Sequence, residues 1–184
     1  MVQEMKNKLL ISKLDAVKRQ LETAIRIYFS SGDPVSIHTL TAAAYNVVRD
    51  LNKKLGGGKL LVKEEFLDYI KEGHEKEVRE LINRAENFFK HADRDHDSTI
   101  EFNPAQSEFL ILEACSVYAR LSGEFPPLFK LYQSWFIANH QDCFKFPDDQ
   151  RDIISLGSPE VIRLGKEGYF NFALPIMSKL YLHG

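Results

Sequence analysis

Arg84, Asn87 and His91 follow one another at spacings of three and four residues. On a helix, where each residue advances about 100 degrees, they therefore share one flank. Val78, Leu81, Ile82, Ala85, Phe88, Phe89 and Ala92 fall in the neighbouring sector and form the predicted buried face. Arg79, Asn83, Glu86 and Lys90 fall opposite and are predicted to be solvated. A stripe at such a boundary is partly shielded yet reachable, a setting in which an imidazole can be tuned and a guanidinium can meet an anion. Directly beyond this helix Asp93, Asp95 and Asp97 alternate, and Thr99 and Glu101 continue the series. Oxygen donors at every second residue let a tight loop wrap one hard cation, with Thr99 giving its backbone carbonyl and Glu101 a direct or water-mediated oxygen.

The Arg84 and His91 pair on one helix resembles the signature of the HEPN superfamily. That resemblance implies a small helical bundle acting as a homodimer, and either RNA binding or metal-independent RNA cleavage. By it His91 moves the proton of the 2'-hydroxyl, Arg84 neutralises charge developing on the phosphate, and Asn87 orients the imidazole or binds phosphate. Two such stripes would face each other across the dimer axis. The chain departs from the family pattern in having Ala85 after the arginine and in running on for about half its length beyond the motif. An ordinary Glu80 to Arg84 helix pair, with His91 favoured by the helix C-terminus, accounts for the same residues without chemistry.

Asp93 to Phe102 resembles the first part of an EF-hand loop, which implies calcium or another divalent cation as ligand. Ser98 stands where that loop has its turn glycine and Pro104 where it has its closing glutamate, so closure would fall to a carboxylate such as Glu108. His91, Asp93, Asp95 and His96 form a set suited to a transition metal. Without a cation the run is a solvated acidic loop whose aspartates cap turns. The second class of function is accordingly a non-enzymatic helical interaction protein, with or without a cation in this loop.

Other candidates carry less chemistry. His38 has Thr41 and Tyr45 on nearby turns, which makes either a polar groove or a satisfied histidine on a helix flank, and the flank is the expectation. His140, Asp142 and Cys143 lie together, but no activating group accompanies the cysteine, and a structural thiol is expected. Gly56, Gly57 and Gly58 precede no Gly-Lys-Ser/Thr and follow no strand, so they read as a flexible connector.

The elements that must position these residues are helical throughout. Apolar stripes at helical spacing predict helices over 12–29, 34–55, 63–92 with a break at Gly73, from Pro104 to Gly123, from Pro126 onward, and two short ones beginning near Pro159 and Tyr169. The last third is rich in aromatic residues, among them Phe129, Tyr132, Trp135, Phe136, Tyr169, Phe170 and Phe172, which read as core or subunit interface. The expected fold is all-α: residues 1–184 as one domain, a bundle of about six to eight helices with an aromatic-rich C-terminal part. A formal charge of -2 argues against a DNA-coating role. Two cysteines in no metal or disulfide pattern suit a reducing cytoplasm. No apolar run is long enough for a signal sequence or a membrane span.

Overall fold

Ser12 opens the first helix, α1 (Lys13–Phe29), through a reciprocal cap: its Oγ accepts from the Asp15 amide at 3.1 Å, and the Asp15 carboxylate accepts from the Ser12 amide at 3.1 Å. Asp33 starts α2 (Pro34–Lys54) by accepting from the Ser36 amide at 2.7 Å, with proline at the first helical position. The structure is a computed structural model that describes residues 8–93, 96–145 and 148–183. Among them α3 (Glu75–Lys90), α4 (Ala105–Ser122), α5 (Pro127–Asn139) and α6 (Asp148–His183) complete a set of six α-helices, with short 3-10 turns at Glu65–Tyr69 and Gln141–Cys143 and no strand. The all-α expectation holds.

Within the glycine run after α2, Gly57 packs closely on Asn52, whereas a Cβ on Gly56 or Gly58 would meet open space. Gly57 donates to the Asn52 carbonyl at 2.9 Å, and a Cβ there would fall 2.1 Å from the Asn52 side-chain oxygen. The Asn52 amide in turn donates to the Gly58 carbonyl at 2.7 Å. The helix expected over 63–92 is present only in its second half. The Leu60 carbonyl accepts from both Glu64 (3.0 Å) and Glu65 (2.8 Å), which curls the chain into a turn, and Gly73 takes a left-handed φ of 93° before α3 begins. Two helices near the C-terminus were expected from Pro159 onward. Two helical stretches are present and break at Gly165, whose φ of 67° and ψ of 176° are not helical, but the first starts earlier, at Asp148, and Pro159 and Pro175 lie inside helix, so the whole is labelled α6.

The apolar core is shared by α1, α2, α4, α5 and α6. Phe29 sits at its centre, with the rings of Tyr28, Trp135 and Phe170 at 5.4, 5.7 and 5.3 Å, mostly edge to face. Phe129, Tyr132, Phe136 and Tyr169 are buried as expected of core aromatics, whereas Phe172 faces outward. The helix α3 stands apart: only Ala85 and Glu86 of it are buried, and it leans chiefly on α2. No helix among the described residues is long and apolar enough to cross a membrane.

Candidate functional site

Between α2, α3 and α4 lies a cleft of about 530 Å³ whose walls include Leu61, Val62, Leu81, Ile82, Phe109 and Leu110, with His38, Lys63 and Gln106 as its polar members. That volume lies within the range of roughly 300 to 1,000 Å³ usual for small-molecule sites. Each wall has a structural origin. Residues 61–63 are drawn across α4 by Glu113, whose carboxylate accepts from the Leu61 amide at 2.5 Å, the Val62 amide at 2.9 Å and the Tyr45 hydroxyl at 2.8 Å. One side chain thus ties α2, α4 and this segment together.

Behind the apolar wall lies a buried polar layer. The Lys63 side chain is 3% exposed and meets Glu86 at 2.5 Å; Glu86 also takes Lys90 at 2.6 Å and the Asn46 amide. The expectation of a solvated Glu86 is therefore overturned. Because Lys63 and Asn46 reach it from the α2 side, α3 is rolled toward Glu86. The same roll leaves Leu81, predicted to be buried, 64% exposed at the mouth of the cleft. Burial pulls the Lys63 ammonium below its ordinary pKa. Burial also opposes ionisation of Glu86, but the hydrogen bonds and charges of Lys63 and Lys90 outweigh it and hold the carboxyl below its usual value.

His38 is 2% exposed, not on a flank as its helix alone suggests. Its Nδ1 lies 3.0 Å from Ser107 Oγ, and the edges of Phe89 and Phe102 enclose the ring, with centroids at 5.8 and 5.0 Å. Neither Thr41 nor Tyr45 is its partner: Tyr45 serves Glu113, and Thr41 Oγ1 and His38 Nε2 are both buried without a hydrogen-bond partner among the described residues. Burial, and then the charge of Lys63, lowers the imidazole pKa, with Lys90 adding to this and Glu86 opposing it, which favours the neutral ring.

Arg84 and Asn87 lie on the exposed side of α3, and exposed His91 follows the helix with extended backbone, its amide donating to the Asn87 carbonyl at 3.0 Å. The Glu80 to Arg84 pair does not form; Glu80 lies 3.9 Å from Lys76. Asp93, Asp97, Thr99 and Glu101 are all exposed, with Asp97 2.9 Å from His96. Asp95 lies outside the described residues, among which no group of three or more imidazole, thiol or carboxylate side chains gathers as a metal site. His140 pairs with Glu108 at 3.1 Å, while Cys143 is exposed. The sequence reading missed Lys63, Glu86, Ser107 and Glu113. One signal was present: His38, Thr41 and Tyr45 form a polar stripe at helical spacing beside the apolar Ile37, Ala44 and Val48 of α2.

An all-helical bundle with an apolar cleft over a polar floor is the class that fold and site define. Comparison with known proteins gives no match: no family model fits the chain, and no curated protein and no solved structure is similar to it.

Proposed function

We propose that this chain is a non-enzymatic binding protein whose cleft between α2, α3 and α4 receives an apolar small molecule. The observation that carries this reading is the cleft itself: an apolar recess of about 530 Å³, walled on one side by a helix that buries little else. Apolar walls with a few fixed polar groups are the usual construction of a ligand site. Nile red, a neutral dye that brightens in apolar surroundings, tests it. Fluorescence should rise on adding the protein, and Leu61→Asp and Leu81→Asp, at exposed wall positions, should each remove most of the rise without lowering the melting temperature. Dye binding indifferent to both substitutions would rule the cleft out as its site.

A second reading, HEPN-like RNA binding or cleavage by a homodimer, is favoured by one observation: Arg84 makes no hydrogen bond or ion pair with another described residue, which leaves its guanidinium available to a phosphate. On this reading Arg84 and Asn87 hold the backbone and His91 moves the proton. RNA should be cut in the presence of a metal chelator, and His91→Ala should stop cutting while the fold persists. Intact RNA after incubation with protein shown to be dimeric would sink it.

A further inference from the structure

We infer that the ligand of this cleft is a neutral amphiphile: an apolar body against Leu61, Leu81, Ile82 and Phe109, with a single hydroxyl group bonded to His38 Nε2. The inference rests on the reading of the cleft as a binding site and adds what that site recognises. His38 belongs to the cleft wall. Its Nδ1 is taken by Ser107, and two phenylalanine edges close on the ring, so Nε2 is its one unmet polar atom. Thr41 Oγ1, a turn further along the same face of α2, is likewise buried and unpartnered. A buried polar atom left unmet costs stability unless something occupies it. Of the two, His38 lines the cleft, where it joins Lys63 and Gln106 as the polar members of a mostly apolar wall.

The charge of the missing group follows from its neighbours. Lys63, the one ammonium on the cleft wall, is already closed on Glu86, which is shared with Lys90 and Asn46. An anion entering the cleft would have to displace Glu86, and a cation would meet Lys63; either would first shed its hydration. A hydroxyl avoids both penalties and suits either form of the neutral imidazole. If Ser107 donates to Nδ1, the Nε2 proton is donated to the hydroxyl oxygen. If Nδ1 carries the proton, Nε2 accepts from the hydroxyl.

Naphthalene, 2-naphthol and naphthalene-2-carboxylate share one apolar body and differ only in the head, so titrating each into the full chain at neutral pH, followed by amide NMR, separates the terms. Shifts should centre on the amides of Leu61, Leu81 and Ile82, and 2-naphthol should bind about tenfold more tightly than the other two, the ratio worth one well-made hydrogen bond. His38→Phe should erase the preference for 2-naphthol over naphthalene while naphthalene still binds. Equal affinity of naphthalene and 2-naphthol for the unsubstituted chain would overturn the hydroxyl inference, pointing to a trapped water at Nε2, and would leave the cleft reading standing. Tightest binding by the carboxylate would overturn it in favour of an anion site. If no probe moves the cleft amides, the cleft reading fails and this inference with it. The three-probe comparison decides the matter even where His38→Phe does not fold.

Discussion

At the scale of single residues His38 concentrates the physical interest, because it is an ionisable group buried beside two aromatic rings. Its folded pKa is lowered by burial and by Lys63 and Lys90, against the pull of Glu86, relative to an ordinary value of 6.5. Below pH 6.5 the unfolded chain takes up this proton more readily than the folded one. Stability is therefore complete above that pH and declines as pH falls below it. In urea unfolding measured across this range, His38→Phe should flatten the acid-side decline; an unchanged slope would mean that His38 is solvated. Thr41→Val makes a companion prediction. Replacing an unpaired buried hydroxyl by a methyl group should stabilise the ligand-free protein by about 1 kcal/mol, whereas a loss of stability would show that the hydroxyl has a partner in solution. The sequence marked His38, Thr41 and Tyr45 as a group but put His38 on a flank. The helical wheel of α2 cannot reveal Phe89 and Phe102, which arrive from distant parts of the chain to cover it.

At the scale of elements the open question is what holds α3. Its amphipathic pattern located the helix, and the residues of its exposed face, Arg84 and Asn87, are solvent-facing. Its rotation was not legible, since the expected buried sector counted only apolar residues and gave no weight to Lys63 waiting on the facing segment. With side chains 3% and 9% exposed, Lys63 and Glu86 form a buried pair, and the two possible truncations are not equivalent. Glu86→Leu leaves the Lys63 ammonium buried and alone and should cost about 3 kcal/mol. Lys63→Met leaves Glu86 with Lys90 and Asn46 and should cost distinctly less. The double variant should recover most of the loss, because no uncompensated charge is then left inside. Urea melts of the three variants form a closed cycle; additive losses would mean that the pair is not coupled. The carboxyl of Glu86 is held below its ordinary pKa, so its contribution is present above the unfolded-state value of 4.5 and is lost as pH falls through the folded one.

At the scale of the whole molecule the helices α1, α2, α4 and α5 were legible because each carries an apolar stripe at helical spacing; in the fold Ser12 and Asp33 cap the first two, Asn103 accepts from the Ala105 amide ahead of α4, and Pro127 is the first residue of α5. The course of α6 was legible in part: the sequence placed a break at Gly165, and the fold has it, whereas Pro159 and Gly168 read as ends in sequence but stay in helical geometry. The aromatic-rich stretch shows the same limit, as Tyr169 and Phe170 pack on Phe29 but Phe172 points outward. Residues of one type, three positions apart at most, therefore have different weights, and a pair of truncations measures the difference. Phe29 is 1% exposed and touches rings from α1, α5 and α6, so Phe29→Ala opens a void that none of these helices can fill alone and should cost about 3 to 5 kcal/mol. Phe172, at 62% exposure, buries little apolar surface, and Phe172→Ala should stay within about 0.5 kcal/mol of the parent. A large loss at Phe172 would show that α6 packs its outer face against something in solution, a second copy of the chain being the simplest candidate. In that case the loss should shrink on dilution, as the association is undone by mass action.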